Sequence, residues 1–332
     1  MTEGRNSARK DQGRPRHWFR PGLLAGIAGC IILLLAATEV VLRFAFGLGN
    51  PVLVQSDAAC SYVLKPDQDI TRFFVHTHVN HFGMRSDDVL PQRNPGGLRL
   101  FFVGDSVTYG TSRVDQRSIF TEVLHRELPA IVHQPVELLN ASASAWAPDN
   151  ELAYIRSRGI FQSDVVLLVL NDGDLTQPRA TLKDIGDNLP QMRPRTAIGE
   201  LYSRYILPRL KYAVAKQDAG DSVAANAAEI QRENLLNLDK FQQTVEGQGG
   251  RMVLVYLPFR RDIPRDSEAP ALALHAWADG HHVTMLDLTA AELPSMAKEI
   301  TLQDGLHLNA KGHLMVARAI EQLWPQISTA AH

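Results

Sequence analysis

Residues 98–106 read Leu-Arg-Leu-Phe-Phe-Val-Gly-Asp-Ser, a short and mostly apolar run that ends in glycine, aspartate and serine. The run has the length of a β-strand, and its apolar residues are continuous rather than alternating. This pattern is typical of a strand that is covered on both faces, as in a parallel sheet. The polar end predicts a sharp turn from strand to helix, with Ser106 at the start of the helix.

Four further apolar runs of strand length follow, and most are bounded by glycine, proline, asparagine or aspartate. They are Val136–Leu139, Val165–Leu170, Met252–Leu257 and Val283–Leu286. Helical patterns lie between and after these runs, at about residues 116–128, 149–158, 224–247, 268–279 and 309–325. Strand and helix in alternation predict right-handed crossovers and an α/β fold, a three-layer α/β/α sandwich with a five-stranded parallel sheet.

The N-terminus predicts a membrane anchor outside this fold. Residues 1–20 carry six Lys or Arg residues against two acidic ones, residues 22–38 carry no charge, and apolar residues resume after Glu39. A run of about 20 apolar residues is long enough to cross a bilayer as a helix. By the positive-inside rule, we expect a cytoplasmic tail over 1–20, a transmembrane helix over 21–46, and the rest outside the cytoplasm. In a Gram-negative cell that compartment is the periplasm.

Two other interpretations of the N-terminus send the bulk of the chain to the same side. Ala36-Ala37 offers a poor small-residue site for cleavage of a signal peptide. Residues 27–30 look like a lipoprotein motif that ends at Cys30, but the chain stays apolar after this cysteine. The sequence does not decide whether the segment is cleaved.

Residues 47–97 are predicted to form a juxtamembrane region with one β-like stretch, Ile70–Val79. The sequence Asn-Pro-Gly-Gly at 94–97 is a clear turn signal. It marks the start of the main domain, which we expect over residues 98–328.

The alternation of strands and helices breaks once, over residues 172–224, where prolines and one predicted helix near residues 198–215 replace a strand. This insertion follows the end of a strand, and open α/β sheets bind ligands at that edge. It can therefore be either a surface decoration or a lid over a substrate.

Composition argues against several other functions. The net charge is −2, and no patch combines clustered basic residues with aromatic ones, so we expect no nucleic-acid partner. Cys30 and Cys60 form no disulfide framework, and no Cys/His spacing resembles a zinc site. His76 and His78 share a face of a predicted strand, but no third ligand follows at useful spacing. We expect neither a metal nor a cofactor.

Polar residues stand at three element ends that the predicted topology brings to one edge of the sheet. Ser106 follows the first strand, Asn171 and Asp172 follow the third, and Asp304 and His307 precede the last helix. The N-terminus of a helix favours the negative charge that develops beside a reacting serine. An aspartate three residues before a histidine can orient the ring while the ring accepts the serine proton. Each signal alone is weak, but together they predict a serine nucleophile.

Residues 98–326 resemble the SGNH hydrolases, also called GDSL hydrolases. The resemblance is most specific at residues 103–110 (VGDSVTYG) and 304–313 (DGLHLNAKGH). It implies a flavodoxin-like sheet and an ester-hydrolysing activity. The membrane anchor and residues 80–85 (NHFGMR) resemble a subset of bacterial members with one N-terminal helix and an extracytoplasmic catalytic domain. Relatives with this layout often act on acyl groups of cell-envelope carbohydrates or lipids.

The resemblance implies roles for five residues. Ser106 would be the nucleophile, His307 the base and Asp304 the residue that orients the base. The side-chain amide of Asn171 and the backbone N–H of Ser106 would line the oxyanion hole. The family supplies a glycine N–H to this hole, and Ala145 stands at that position. Alanine keeps the N–H, but a positive φ there would be strained.

Three functions stay open at this stage. The first is hydrolysis of acyl esters, with short acyl or O-acetyl groups expected. The second is transfer of an acyl group to or from an envelope polysaccharide by the same residues, with a sugar hydroxyl in place of water. The third is a catalytically silent domain that binds envelope components, which Ala145 and Val169 favour because the family has glycines there. The sequence identifies neither the acyl group, the alcohol nor the oligomeric state.

Overall fold

The structure is a computed structural model that describes residues 21–171, 173–185, 190–209, 224–258, 269–291 and 297–329. Helix α1 (Pro21–Phe44) begins the described chain, and most of its side chains are exposed. Its 23 residues Gly22–Phe44 are long and apolar enough to cross a membrane. A signal sequence can have the same length and apolar composition, so α1 is a candidate membrane span.

Two antiparallel β-hairpins follow α1. Their strands are β1 (Val54–Asp57), β2 (Ser61–Leu64), β3 (Gln68–Arg72) and β4 (Val75–Val79), paired β1 with β2 and β3 with β4. The single β-like stretch predicted over Ile70–Val79 is therefore two strands and a turn. Phe73 and Phe74 form the turn with φ values of 48° and 65°. A turn made by two aromatic residues carries none of the usual glycine or proline signals.

The five predicted strands form one parallel sheet. They are β5 (Leu98–Gly104), β6 (Val136–Ser142), β7 (Val165–Asn171), β8 (Arg251–Leu257) and β9 (Thr284–Asp287). The order across the sheet is β6-β5-β7-β8-β9, with every pair parallel. Counted along the chain this is 2-1-3-4-5, the flavodoxin-like order, which reverses direction beside β5. The predicted five-stranded parallel sheet is confirmed, and the polar ends of β5, β6 and β7 lie at one edge.

Helices cover the sheet on both faces. They are α2 (Ser106–Tyr109), α3 (Phe120–Val132), α4 (Pro148–Arg158), α5 (Leu182–Ile185), α6 (Ala197–Glu200), α7 (Ala224–Glu246), α8 (Ala269–His281), α9 (Ala297–Ile300) and α10 (Ala310–Thr329). One core joins Phe102 to α3 and α10, and the other joins Phe101 to α4, α7 and α8. Successive strand residues face opposite sides of the sheet. Because helices cover both sides, both phenylalanines are fully buried. Burial of each contributes about 1.5–3 kcal/mol. The three-layer sandwich is confirmed.

The predicted insertion over residues 172–224 contains only short helical pieces within its described part. After α5, helix α6 continues directly into a π-helical turn, Leu201–Ile206, and on to residue 209. The helix predicted near residues 198–215 is observed up to residue 209. Asp172 and the remainder of that predicted helix lie outside the described residues.

Candidate active site

Ser106 lies at the junction of β5 and α2. Asp105 is the residue before the helix, with φ −90° and ψ −150°, and its carboxylate accepts the N–H of Val107 at 2.8 Å. Aspartate is among the preferred residues for this capping position. Glycine is required at 104, because a Cβ there would lie 2.3 Å from the Thr108 hydroxyl. The turn therefore places Ser106 in the first turn of the helix, close to the surface of the sheet edge.

His307 joins Ser106 to Asp304. The Nε2 atom of His307 lies 2.9 Å from the Ser106 Oγ, and its Nδ1 lies 3.1 Å from an oxygen of Asp304. The serine and the histidine are 201 positions apart in the chain. A ring with its proton on Nδ1 donates to Asp304 and leaves Nε2 to accept from the serine hydroxyl. Three of the predicted residues thus form one hydrogen-bonded row.

The Asp304 carboxylate is held in its ionised form. Partial burial raises its pKa, but stronger opposing contacts lower the pKa to about 2. These contacts are hydrogen bonds from the backbone N–H groups of His307 and Leu306 and an ion pair with the Arg113 guanidinium. Sequence reasoning missed Arg113, which lies in a loop after α2 with no motif around it. Together these contacts keep Asp304 ionised into the acidic pH range.

The Asn171 side chain reaches Asp105, the residue before Ser106, and its amide contacts two carboxyl groups. Its amide nitrogen lies 3.1 Å from an oxygen of Asp105 and 3.0 Å from an oxygen of Asp174. Its oxygen accepts the N–H of Gly173 at 2.8 Å, which fixes the orientation of the amide. Both amide hydrogens are therefore engaged with carboxyl groups in this structure. The oxyanion role that the resemblance implies for Asn171 stays a prediction.

Three buried carboxyl groups lie close together, and one of them belongs to the residue before Ser106. They belong to Asp105, Asp174 and Glu151, the last of these on α4. Burial raises the pKa of Asp105. Burial also raises the pKa of Glu151 and of Asp174 well above the usual range, and repulsion from the neighbouring carboxyl groups raises both pKa values further. Neither oxygen of Glu151 has a hydrogen-bond partner among the described residues. Sequence reasoning missed Glu151 and Asp174, because only the tertiary packing brings them to Asp105.

Ala145 adopts the left-handed conformation, with φ 63°. Ala145 lies in the turn after β6, which is closed by a hydrogen bond from the N–H of Trp146 to the carbonyl of Ala143. The carbonyl of Ala145 accepts from the Gln177 amide at 2.6 Å. An alanine in this conformation costs about 1–2 kcal/mol. Among the described residues, the N–H groups of Ser106 and Ala145 donate to no protein acceptor. Both remain available to a bound oxyanion.

His76 and His78 share one face of β4, as their alternation predicts. Their rings flank the carboxylate of Asp69 on β3, with contacts of 2.9 and 3.3 Å. A histidine–carboxylate cluster on an exposed hairpin accounts for both residues.

The structure adds one metal-type cluster that the sequence did not suggest. Asp87, Glu122 and His125 bring ligand atoms within 4.8 Å of one another. Burial raises the pKa of Glu122 to about 7. A protonated carboxyl group is a poor cation ligand, so the cluster alone does not define a metal site.

Comparisons with known proteins give similarity at the level of structure alone. No family model matches the sequence, and no curated protein does. TesA aligns with 16% identity and a TM-score of 0.45, covering 69% of this chain and 98% of its own. The acetylxylan esterase Axe2 from Geobacillus stearothermophilus aligns with 16% identity and a TM-score of 0.42, covering 70% and 95%. A member of the lipolytic G-D-S-L family from Veillonella parvula aligns with 14% identity and a TM-score of 0.40, covering 69% and 98%. Similarities this low do not say what this chain does.

Proposed function

We propose that this chain is a membrane-anchored serine ester hydrolase that acts outside the cytoplasm. The observation that supports the proposal best is the row of Ser106, His307 and Asp304, with contacts of 2.9 and 3.1 Å. A serine that only caps a helix needs no histidine, whereas a serine nucleophile needs a base that a third group orients. The sequence resemblance to the SGNH hydrolases points the same way.

In the proposed reaction, the Ser106 oxygen attacks the carbonyl carbon of an acyl ester while His307 Nε2 takes the hydroxyl proton. The Asp304 carboxylate stabilises the imidazolium that forms. His307 then gives this proton to the leaving alcohol as the ester C–O bond breaks, which leaves the acyl group on Ser106. A water molecule gives a proton to His307 and attacks the acyl carbon. The acid is released and the serine regains its proton.

The oxyanion of each tetrahedral intermediate needs donors that are already in place. We assign this role to the backbone N–H groups of Ser106 and Ala145. Asn171 can join them once it gives up one of its two carboxyl contacts. Burial raises the pKa of both Asp105 and Asp174, and a hydrogen bond to a neutral carboxyl group is weaker than one to a carboxylate. Either contact can therefore be exchanged for one to the oxyanion.

The proposed location follows from α1 and the residues before it. Helix α1 is the candidate span, and the basic residues of 1–20 would hold that end in the cytoplasm. The catalytic domain then faces the cell envelope. By this layout, an acyl ester of an envelope carbohydrate or lipid is the substrate class we propose.

The same row of residues can also transfer an acyl group to a sugar hydroxyl. Access of water to the acyl group decides between the two outcomes. The His307 side chain is 21% exposed and that of Asp304 is 33% exposed, so water reaches the base directly. Hydrolysis requires this access, and it is therefore the function that we propose first. A domain that only binds envelope components would not need Ser106, His307 and Asp304 to lie in hydrogen-bonding contact.

The proposal is tested with the full chain in detergent and a series of aryl esters from acetyl to octanoyl. We expect hydrolysis by the wild type and none above background by the Ser106→Ala variant. Ser157→Ala is the matched control, because Ser157 is an exposed serine on α4, and it should keep the full rate. Equal rates for wild type and Ser106→Ala would overturn the mechanism.

A further inference from the structure

Exposed apolar side chains concentrate where the chain leaves α1. Outside α1, the described residues include eleven large apolar side chains that are exposed, and five of them lie here. Together with Phe44 at the end of α1, they define an exit surface made of Phe44, Phe46, Phe73, Phe74, Tyr202 and Ile206. Phe44 is 85% exposed and Phe74 is 81% exposed. Single apolar residues are ordinary on a soluble surface, but a grouped set marks an interaction site.

Aromatic ring contacts join the hairpin tip to the chain after α1 and to the helix of residues 197–209. The Phe46 ring centroid lies 6.2 Å from that of Phe73 and 6.3 Å from that of Phe74. The N–H of Phe73 donates to the carbonyl of Phe46 at 2.9 Å. On its other side, Phe73 meets Tyr205 edge-on, with the ring centroids 5.8 Å apart. The hairpin tip is thus attached to the second residue after α1 and to the helix of residues 197–209.

A buried ion cluster fixes this arrangement. The Glu200 carboxylate accepts from the Arg72 and Arg204 guanidinium groups, both at 2.7 Å, and from the N–H of Gly49 at 2.5 Å. Each donor belongs to a different segment: the hairpin, the helix of residues 197–209, and the chain after α1. The exit surface therefore keeps a constant position relative to the end of α1.

Glu39, inside the candidate span, is also in contact with the residues that form the exit surface's helix. It lies five residues before Phe44, which places it about 7.5 Å further into the candidate span. An unpaired carboxylate in lipid is costly. Glu39 accepts from the N–H groups of Ala197 and Ile198 at 2.8 and 3.0 Å and pairs with Arg43. The start of α6 thus lies beside the last turns of α1, and the polar groups there satisfy one another as a lipid environment requires.

We propose that the exit surface lies in the headgroup region of the lipid bilayer, with Phe73, Phe74 and Tyr202 at the boundary of the hydrocarbon core. Aromatic side chains favour this boundary. Arg195 and Arg209 are exposed beside the surface, and long basic side chains can reach the lipid phosphates. The inference rests on the proposed membrane anchor and goes beyond it, because the anchor places only α1 in the bilayer and does not by itself bring the catalytic domain into contact with lipid.

The same hairpin connects the exit surface to the active site. On β4, the N–H of His76 donates to the Asp115 carboxylate at 2.9 Å. Arg113, two residues before Asp115, pairs with Asp304 of the catalytic row. A domain fixed by the exit surface would therefore hold its active site at a constant height above the membrane, facing esters in the envelope.

The test uses the full chain in vesicles of phosphatidylcholine and phosphatidylglycerol. A fluorophore that responds to its environment is attached at Phe74→Cys in a Cys30→Ser background. Cys60 stays unlabelled, because burial raises the pKa of its thiol to about 12. We expect lipids with a nitroxide near the headgroup to quench the label. Leu272→Cys, an exposed apolar position on α8 outside the exit surface, is the matched control and should not be quenched.

Two further samples separate the possible failures. Native Cys30 lies inside α1 and is exposed, so a label there reports insertion of the helix through quenching by nitroxides deep in the acyl chains. Quenching at 30 with none at Phe74→Cys or Tyr202→Cys would overturn the inference and leave the anchor standing. No quenching at 30 would overturn both. A fluorophosphonate probe on Ser106 in the same vesicles reports the esterase proposal independently.

Discussion

Replacing Glu200 with alanine removes the centre of the ion cluster that holds the exit surface. The Glu200 side chain is fully buried and that of Arg72 is 5% exposed. Without the carboxylate, Arg72 keeps its charge in a buried place, where one of its nitrogens already lacks a partner among the described residues. Breaking a buried pair by removing one partner costs about 3–5 kcal/mol. We expect the free energy of unfolding to fall by this amount.

The measurement is thermal unfolding of the full chain in detergent, followed by near-ultraviolet circular dichroism. A loss of about 3–5 kcal/mol lowers the Tm of a domain this large by roughly 10 °C. Glu299→Ala is the control, because Glu299 pairs with Lys311 at 2.7 Å while its side chain is 63% exposed. A surface pair contributes about 0–1 kcal/mol. Equal shifts in Tm for the two variants would show that the buried Glu200 contributes no more to stability than a surface carboxylate.

Three further predictions concern the site itself. Ala145→Gly relieves a φ of 63° and should raise the stability by about 0.5–1 kcal/mol despite the added freedom of the unfolded chain, and a lower Tm would contradict this. Burial raises the pKa of Glu151 above its unfolded value near 4.5, so the folded state loses stability as pH rises from that value towards the folded pKa. Glu151→Gln removes this loss, and its Tm advantage over the wild type should widen as pH rises above about 4.5; a constant gap would count against the assignment. Asp304→Asn leaves the His307 ring without its charged partner and should lower kcat/KM for an acetyl ester by about 100-fold, whereas a change of under about threefold would exclude the proposed role.

The sequence predicted the sheet because each strand is covered on both faces. Phe101 and Phe102 enter opposite cores, so the apolar run is continuous and its length is that of a strand. The meeting of Ser106 with His307 was also predictable, because parallel strands present their ends at one edge and the last helix begins there. A motif at each end of the chain was enough to place both.

Other parts of the site depend on contacts that no local pattern records. Arg113 and Glu151 lie in segments without a motif, and they reach Asp304 and Asp105 only through the packing of the whole domain. The orientation of the Asn171 amide depends on carboxyl groups that include one missed in the sequence. A residue type therefore predicts what a side chain can donate or accept, but its partner follows from the tertiary structure.

We propose that Ser106 is a nucleophile activated by His307. The deciding experiment treats the full chain with a fluorophosphonate probe and locates the adduct by peptide mass spectrometry. We expect one adduct, on Ser106, which is absent from Ser106→Ala, forms much more slowly in His307→Ala and is unchanged in Ser157→Ala. An adduct on another residue, or equal labelling of Ser106 with and without His307, would contradict it.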